Sequence, residues 1–168
     1  MHESEEIFDV VDQDDQVIGQ ATRKEVHERG LRHRSVHILV FNSKGELFLQ
    51  KRSLAKDENP GYWDTSAAGH VDSGEDYESC AHRELEEELG IKADLKEIGK
   101  FSACSETFFE HVRVYLCTSD ANIVINPDEI SEGRFWSLNE IETSLQDETL
   151  PFTSTFRLIL DKLRGSLR

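Results

Sequence analysis

A chain of 168 residues with 34 acidic and 19 basic side chains carries a formal net charge of −15. That length suits one domain with a real core, and that charge argues against a nucleic acid polymer or an anionic membrane as a partner of the bulk surface. Three cysteines without CxxC spacing, Cys80, Cys104 and Cys117, point to reduced thiols in a cytoplasmic protein and away from a disulfide framework or zinc site.

The opening segment "MHESEEIFDVVDQDD" is acidic where a signal peptide would be basic and then apolar, and no apolar run reaches the roughly 20 residues of a membrane span. "IFDVVDQDDQVIGQAT" predicts two short strands around an Asp-rich turn. Thr22 and Glu25 then form a T-x-x-E capping box for a short helix that Gly30 stops. "SVHILVFNSKGELFLQKR" is a hairpin whose turn is Asn-Ser-Lys-Gly. A polar loop with Pro60-Gly61 follows, then a short strand "DTSAA" and an acidic helix from about Glu75 to Leu89, stopped by Gly90. Two strands are expected at about 94–104 and 107–118, and a third near Gly133–Trp136. A helix capped by Ser137 with Glu140 comes next. Phe152, Phe156, Ile159, Leu160 and Leu163 fall at helical spacing and predict a core-facing C-terminal helix. Strands joined by hairpins, with helices to cover them, make the class α/β, a sandwich with a mixed sheet. No repeat or low-complexity linker divides it.

Residues 69–91, "GHVDSGEDYESCAHRELEEELGI", hold eight carboxylates, three of them consecutive at Glu86, Glu87 and Glu88. At about 100° per residue, Ala81, Leu85 and Leu89 form one stripe and Glu84, Glu87 and Glu88 a neighbouring one. The first can bury against a sheet while the second faces a cleft. Like charges at these spacings repel, and Arg83, four residues before Glu87, offsets only part of that. A Glu-rich helix is most often a solvated face. Hard divalent cations would make this one tolerable, Mg²⁺ above all, since it favours a few carboxylates plus substrate phosphate.

The stretch runs Gly69, five residues, Glu75, seven residues, then Arg83-Glu84-Leu85-x-Glu87-Glu88-x-Gly90-Ile91. It resembles the Nudix box at each of the box's nine specified positions. The resemblance implies a Nudix-type α/β/α sandwich over residues 1–168, with 1–32 as an N-terminal strand/helix extension. It further implies a diphosphate hydrolase that uses Mg²⁺ or Mn²⁺ on a small-molecule diphosphate, by default a nucleoside diphosphate derivative. Carried over by position, Glu84, Glu87 and Glu88 match the family's metal carboxylates, and Glu84 is the first choice where one serves as base. The Gly69 carbonyl completes the metal shell, and Glu75 and Arg83 orient the helix. A homodimer is left open.

Around the box, "HRSVHILVFNSKGELFLQKRS" and "PGYWDTSAAGHV" look like the isopentenyl-diphosphate isomerase-like branch of the superfamily. The isomerase carries a catalytic cysteine just before its Gly-His pair, where this chain has Ala68. It also carries two glutamates two apart on a later strand, which align with Glu110 and Val112. With both proton-handling groups missing, the expectation is hydrolysis, with a prenyl diphosphate isomerase and a non-catalytic binding module as rivals. The isomerase's histidine-rich metal site suggests a second set at His33, His70 and Glu110, with His27 one residue out of register. Glu129 or Glu132 is a candidate further ligand or base. Phe108 and Phe109 are candidates for base stacking, although strand spacing makes at least one of them core, and Tyr62 and Trp63 are candidates for lining the cleft, although packing is the first reading.

Overall fold

The computed structural model describes residues 6–167. Strands β1 (Ile7–Val11) and β2 (Val17–Thr22) pair as an antiparallel ribbon. The Thr22 side chain accepts from the Glu25 N–H and the Glu25 carboxylate from the Thr22 N–H, so the expected capping box starts α1 (Arg23–Arg29). Gly30, at φ 62°, ends it in the left-handed cap that favours glycine. Phe8, Ala21 and Val26 bury a small core beneath this extension.

The main sheet is built on β3 (His33–Phe41), which pairs antiparallel with β6 (Ala67–His70) and parallel with β8 (Glu110–Thr118). Strand β7 (Lys96–Phe101) forms the edge beyond β8. Strand β4 (Leu47–Arg52) follows β3 through the Asn42–Gly45 turn and pairs with both β5 (Trp63–Asp64) and β9 (Ile130–Trp136). The mixed sheet is covered on both faces. Val36, Ile38 and Val40 pack on α2 (Tyr77–Leu89) through Ala81, Leu85 and Leu89, each wholly buried. Leu39, Phe41, Val112 and Val114 point the other way, onto Ile141 of α3 (Leu138–Asp147) and Phe156, Ile159 and Leu160 of α4 (Ser154–Leu163). The α/β/α sandwich is thus present, with each core drawn from alternate residues of the same strands.

Several boundaries differ from the sequence reading. Helix α2 begins at Tyr77, because the Asp76 carboxylate accepts from Ser79 N–H at 2.7 Å and caps the helix there, leaving Glu75 in the preceding loop. "DTSAA" splits into two pieces. The expected strand at 107–118 starts at Glu110, because Ser105–Thr107 form a 3₁₀ turn and Phe108 and Phe109 both adopt left-handed backbone, φ 56° and 62°. Such angles are costly for aromatic residues. The turn is held by Thr107, whose hydroxyl bonds the carbonyls of Cys104 and Glu110, and by Ser154 and Thr155 bonding the Glu106 carbonyl. No helix among the described residues is long and apolar enough to cross a membrane.

Candidate active site

The pleat of β6 divides two chemical environments. Gly69 pairs with Val36 and so faces α2, whereas Ala68 and His70 pair with His37 and Ser35 and face the opposite side. Opposite Gly69 lies Glu84. A Cβ placed on Gly69 would stand 2.2 Å from Glu84 Cδ and 2.3 Å from its Oε1, so only glycine leaves room for that carboxyl. Glu88, one turn on, is 3% exposed; its carboxylate accepts from the Ala68 N–H at 3.3 Å and from Gln50 Nε2 at 3.2 Å.

Glu84 and Glu88 are close enough to hydrogen-bond each other, which demands a proton or a cation between them. Burial drives Glu84 up to about 7 despite Arg83, and burial together with Glu84 holds Glu88 well above the carboxylate range. Glu87 differs. It sits at the rim, its side chain 56% exposed, with Arg83 Nη1 3.3 Å from its Oε2. The three glutamates expected as one stripe therefore split into buried Glu88, a largely covered Glu84 with its side chain 13% exposed, and a solvated Glu87.

Arg83 is the organiser. Its guanidinium makes a two-pronged bond to Glu75 (Nε to Oε2 and Nη2 to Oε1, both 2.8 Å) and donates to Glu84 at 2.7 Å and to the His70 carbonyl at 3.3 Å. Glu75 is the largest cause of its raised pKa. Asp72 N–H in turn donates to Glu75. Glu75 and Arg83 thus link the start of α2 to the end of β6. A cleft of about 600 Å³ opens here, bordered by Gly69, Glu84, Glu87, Glu88 and, across it, Glu129, which is ion-paired with Lys56. Glu132 lies on β9 opposite Lys51 and does not border the cleft.

On the other side of β6, His33, His70 and Glu110 meet as the sequence suggested. Glu110 Oε2 is 3.0 Å from His70 Nε2 and 3.4 Å from His33 Nε2. Burial lowers His70 to about 4, and Arg23 donates to its Nδ1 at 3.0 Å, so it is neutral with its proton on Nε2, toward Glu110. Burial pushes Glu110 up, but the two histidines outweigh it and hold the carboxyl well below its usual value. His27, out of register in sequence, nonetheless converges: one of its ring nitrogens lies within 4.8 Å of one nitrogen each of His33 and His70, and a Glu58 oxygen stands within the same distance of His70 and Glu110. Arg23 and Glu58 escaped sequence reasoning because they lie on segments outside the box and act only through tertiary contact. Of the aromatics, Trp63 is core, edge-on to Trp136 at 5.1 Å, Tyr62 and Phe109 are exposed, and Phe108 borders a small recess beside Glu110.

The raised pKa of Glu84 gives a sign-definite expectation. Between about 4.5 and 7 the folded chain keeps a proton that the unfolded chain has released, so stability falls as pH rises through that window. In EDTA, thermal melts from pH 5 to 8 should show this decline, and a Glu84→Gln, Glu88→Gln variant should show a shallower one; identical profiles would refute the shared-proton arrangement.

A mixed sheet with helices on both faces, and a carboxylate-bearing helix docked on a glycine strand, places the chain in the α/β/α sandwich class. The NUDIX domain family model matches residues 31–156, and the chain belongs to the Nudix hydrolase family. It is 45% identical over 137 residues to an uncharacterized Nudix hydrolase of Pseudomonas aeruginosa, covering 77% of this chain and 78% of that protein. It is 33% identical over 164 residues to an isopentenyl-diphosphate Delta-isomerase of Photorhabdus laumondii, covering 95% and 93%. The crystal structure of DR0079 from Deinococcus radiodurans superimposes with a TM-score of 0.81 at 30% identity, covering 92% of this chain and 97% of that one. Family membership supports an enzyme that hydrolyses diphosphates of small molecules.

Proposed function

We propose that the chain hydrolyses a diphosphate linkage in a nucleoside diphosphate derivative with the help of a divalent metal. The observation that carries this reading is the pair of Glu84, its side chain 13% exposed, and buried Glu88 packed against Gly69 at the cleft, with Arg83 bonded to Glu84. Glu84, Glu87, Glu88 and the Gly69 carbonyl would hold Mg²⁺ or Mn²⁺, for which an all-oxygen set is suited. Bound there, the ion neutralises the diphosphate oxygens and acidifies a water. Where Glu84 serves as the base instead of a ligand, it would take the water's proton, with Glu129 the second choice. Glu75 and Arg83 position α2. Arg23 and Lys56 border both the cleft and the recess, with Arg52 in the recess wall, and are the cations placed to meet substrate phosphates.

The near full-length likeness to an isomerase motivates the rival reading. An isomerase must move protons, and the methyl of Ala68 and the buried isopropyl of Val112 cannot. A non-catalytic module is disfavoured because the carboxylate set is complete. A second cation on His33, His70 and Glu110, joined by His27 and Glu58, is favoured by their convergence, and an anomalous map of manganese-soaked crystals tests both sets at once. The reduced thiols point to the cytoplasm as the place of action.

The deciding experiment is a product screen by ion-exchange chromatography, which resolves phosphomonoesters, diphosphate and phosphate, across nucleoside di- and triphosphates, nucleotide sugars, dinucleotides and prenyl diphosphates. Cleavage of a nucleotide at its diphosphate linkage in Mg²⁺, abolished by EDTA, is the expected result. Proton exchange into isopentenyl diphosphate in D₂O without phosphate release would overturn it. Millimolar Mg²⁺ should also raise the melting temperature, an effect absent from the Glu84→Gln, Glu88→Gln variant; a melt indifferent to Mg²⁺ and EDTA would count against the site.

A further inference from the structure

Side chains alternate along β4, so Phe48 and Gln50 turn the same way, toward α2. Phe48 is core there. Gln50 instead buries an amide, 2% exposed, at a position where an apolar side chain would be expected. A buried amide is tolerated when it is hydrogen-bonded, so its partners account for its presence. Gln50 Nε2 has two, the Ser66 carbonyl at 3.4 Å and Glu88 Oε1 at 3.2 Å. The Ser66 carbonyl can only accept, which fixes the amide with its nitrogen turned toward Glu88. Ser66 is itself wholly buried; its hydroxyl donates to the Phe48 carbonyl and accepts from the Val40 N–H at 2.8 Å. A chain of bonds thus runs from β3 through Ser66 and Gln50 to the acidic helix.

Glu88 receives a second donor on its other oxygen, the Ala68 N–H at 3.3 Å. The last torsion of a glutamate is soft, and a carboxyl left to itself samples a broad range. With Gln50 on Oε1 and Ala68 on Oε2, this one is held at both oxygens. Both donors are neutral. Arg83 holds Glu84 with a full positive charge, which opposes a cation placed beside it. Gln50 orients its carboxyl and adds no charge with which a cation must compete.

We propose that Gln50 is the positioning residue of Glu88. On the metal reading given above, it sets the carboxyl for the divalent cation and so raises the affinity of the cleft for that ion. Gln50 does not border the cleft, so it acts through Glu88.

The probe is Mn²⁺ alone, and the readout is its binding to the full chain, followed by electron paramagnetic resonance of the free ion. Glu88→Gln identifies which binding belongs to this cleft and which to the set at His33, His70 and Glu110. Gln50→Met keeps the length of the side chain and removes the donor. It should weaken the Glu88-dependent binding by about tenfold or more, the range for losing a group that orients a metal ligand. Added to Glu88→Gln, it should change the remaining affinity by less than about twofold, because its target is already gone. Phe48→Leu, on the same face of β4, loosens the core without removing a donor to Glu88; it should lower the melting temperature and leave Mn²⁺ affinity unchanged. A Gln50→Met protein that binds Mn²⁺ as the wild type does overturns the proposal. So does a Phe48→Leu loss of affinity as large as that of Gln50→Met, or a Gln50→Met loss that persists in full beside Glu88→Gln. In these cases the wild type still binds through Glu88, and the metal reading stands. If the Glu84→Gln, Glu88→Gln protein binds Mn²⁺ as well as the wild type, the metal reading falls and the role of Gln50 with it.

Discussion

The Glu84→Gln, Glu88→Gln double variant is expected to lose turnover by on the order of 10³ or more, since removing even one preorganised charged or polar group from an active site costs about 10²–10³. The Glu88 carboxyl is buried and the Glu84 carboxyl largely so; they face Gly69 and Ala68, and Arg83 donates to Glu84. A glutamine at either position keeps the shape and removes the charge. Glu87→Gln is the informative control. Its side chain is more than half exposed at the rim, so its loss should be nearer tenfold, a gap of about 3 kcal/mol in transition-state energy between the two variants. The double variant should also melt higher than the wild type in EDTA, because it no longer buries two acids that repel. Steady-state kinetics and thermal melts on the same samples check both statements. A double variant as active as Glu87→Gln would remove the buried pair from the mechanism.

That split between Glu87 and its neighbours marks the limit of what the sequence could say. The spacing of Glu84, Glu87 and Glu88 places all three within one arc of a helix, and the arc is real. Whether a given carboxyl is dry depends on the strand it meets, and the register of β6 against β3 is a tertiary fact. The apolar stripe was legible because Ala81, Leu85 and Leu89 obey the helical period with no exceptions. The caps at Thr22 and Ser137 were legible for a local reason: each is a side chain bonding backbone three residues away. Asp76 follows the same rule, but Glu75 beside it, bound to Arg83, masked the boundary.

The second cluster was half legible. His33, His70 and Glu110 are far apart in sequence, and only resemblance brought them together; the structure joins them through a parallel pairing, His33 opposite Glu110. His27 looked misplaced by one residue, and a helix ending on Gly30 ahead of the strand absorbs that residue. The left-handed pair Phe108–Phe109 carried no signal at all, since β-rich residues there promise a strand. Their geometry is enforced from outside, by α4 hydroxyls on the Glu106 carbonyl, and its consequence is to aim Glu110 inward at the start of β8.

Gly69→Ala is the smallest change expected to disable the site. Its backbone does not need glycine for conformational freedom; the requirement is space alone. The added methyl would lie 2.2 Å from Glu84 Cδ, closer than unbonded carbons come, and Glu84 cannot yield by a few tenths of an ångström because Arg83 holds it at 2.7 Å. The carboxyl must leave the cleft, and Arg83 must give up a partner. We expect kcat to fall on the order of 10²-fold, while the fold survives because the apolar face of α2 is untouched. A double-mutant cycle separates this cause from general damage. In a Glu84→Ala background the space is already vacant, so adding Gly69→Ala should cost little more, within about 0.5 kcal/mol of transition-state energy if the collision is the whole effect. Additive losses would mean that Gly69 matters for some reason other than the room it leaves to Glu84, and a Gly69→Ala enzyme with full activity would show that this carboxyl need not sit where the strand allows it.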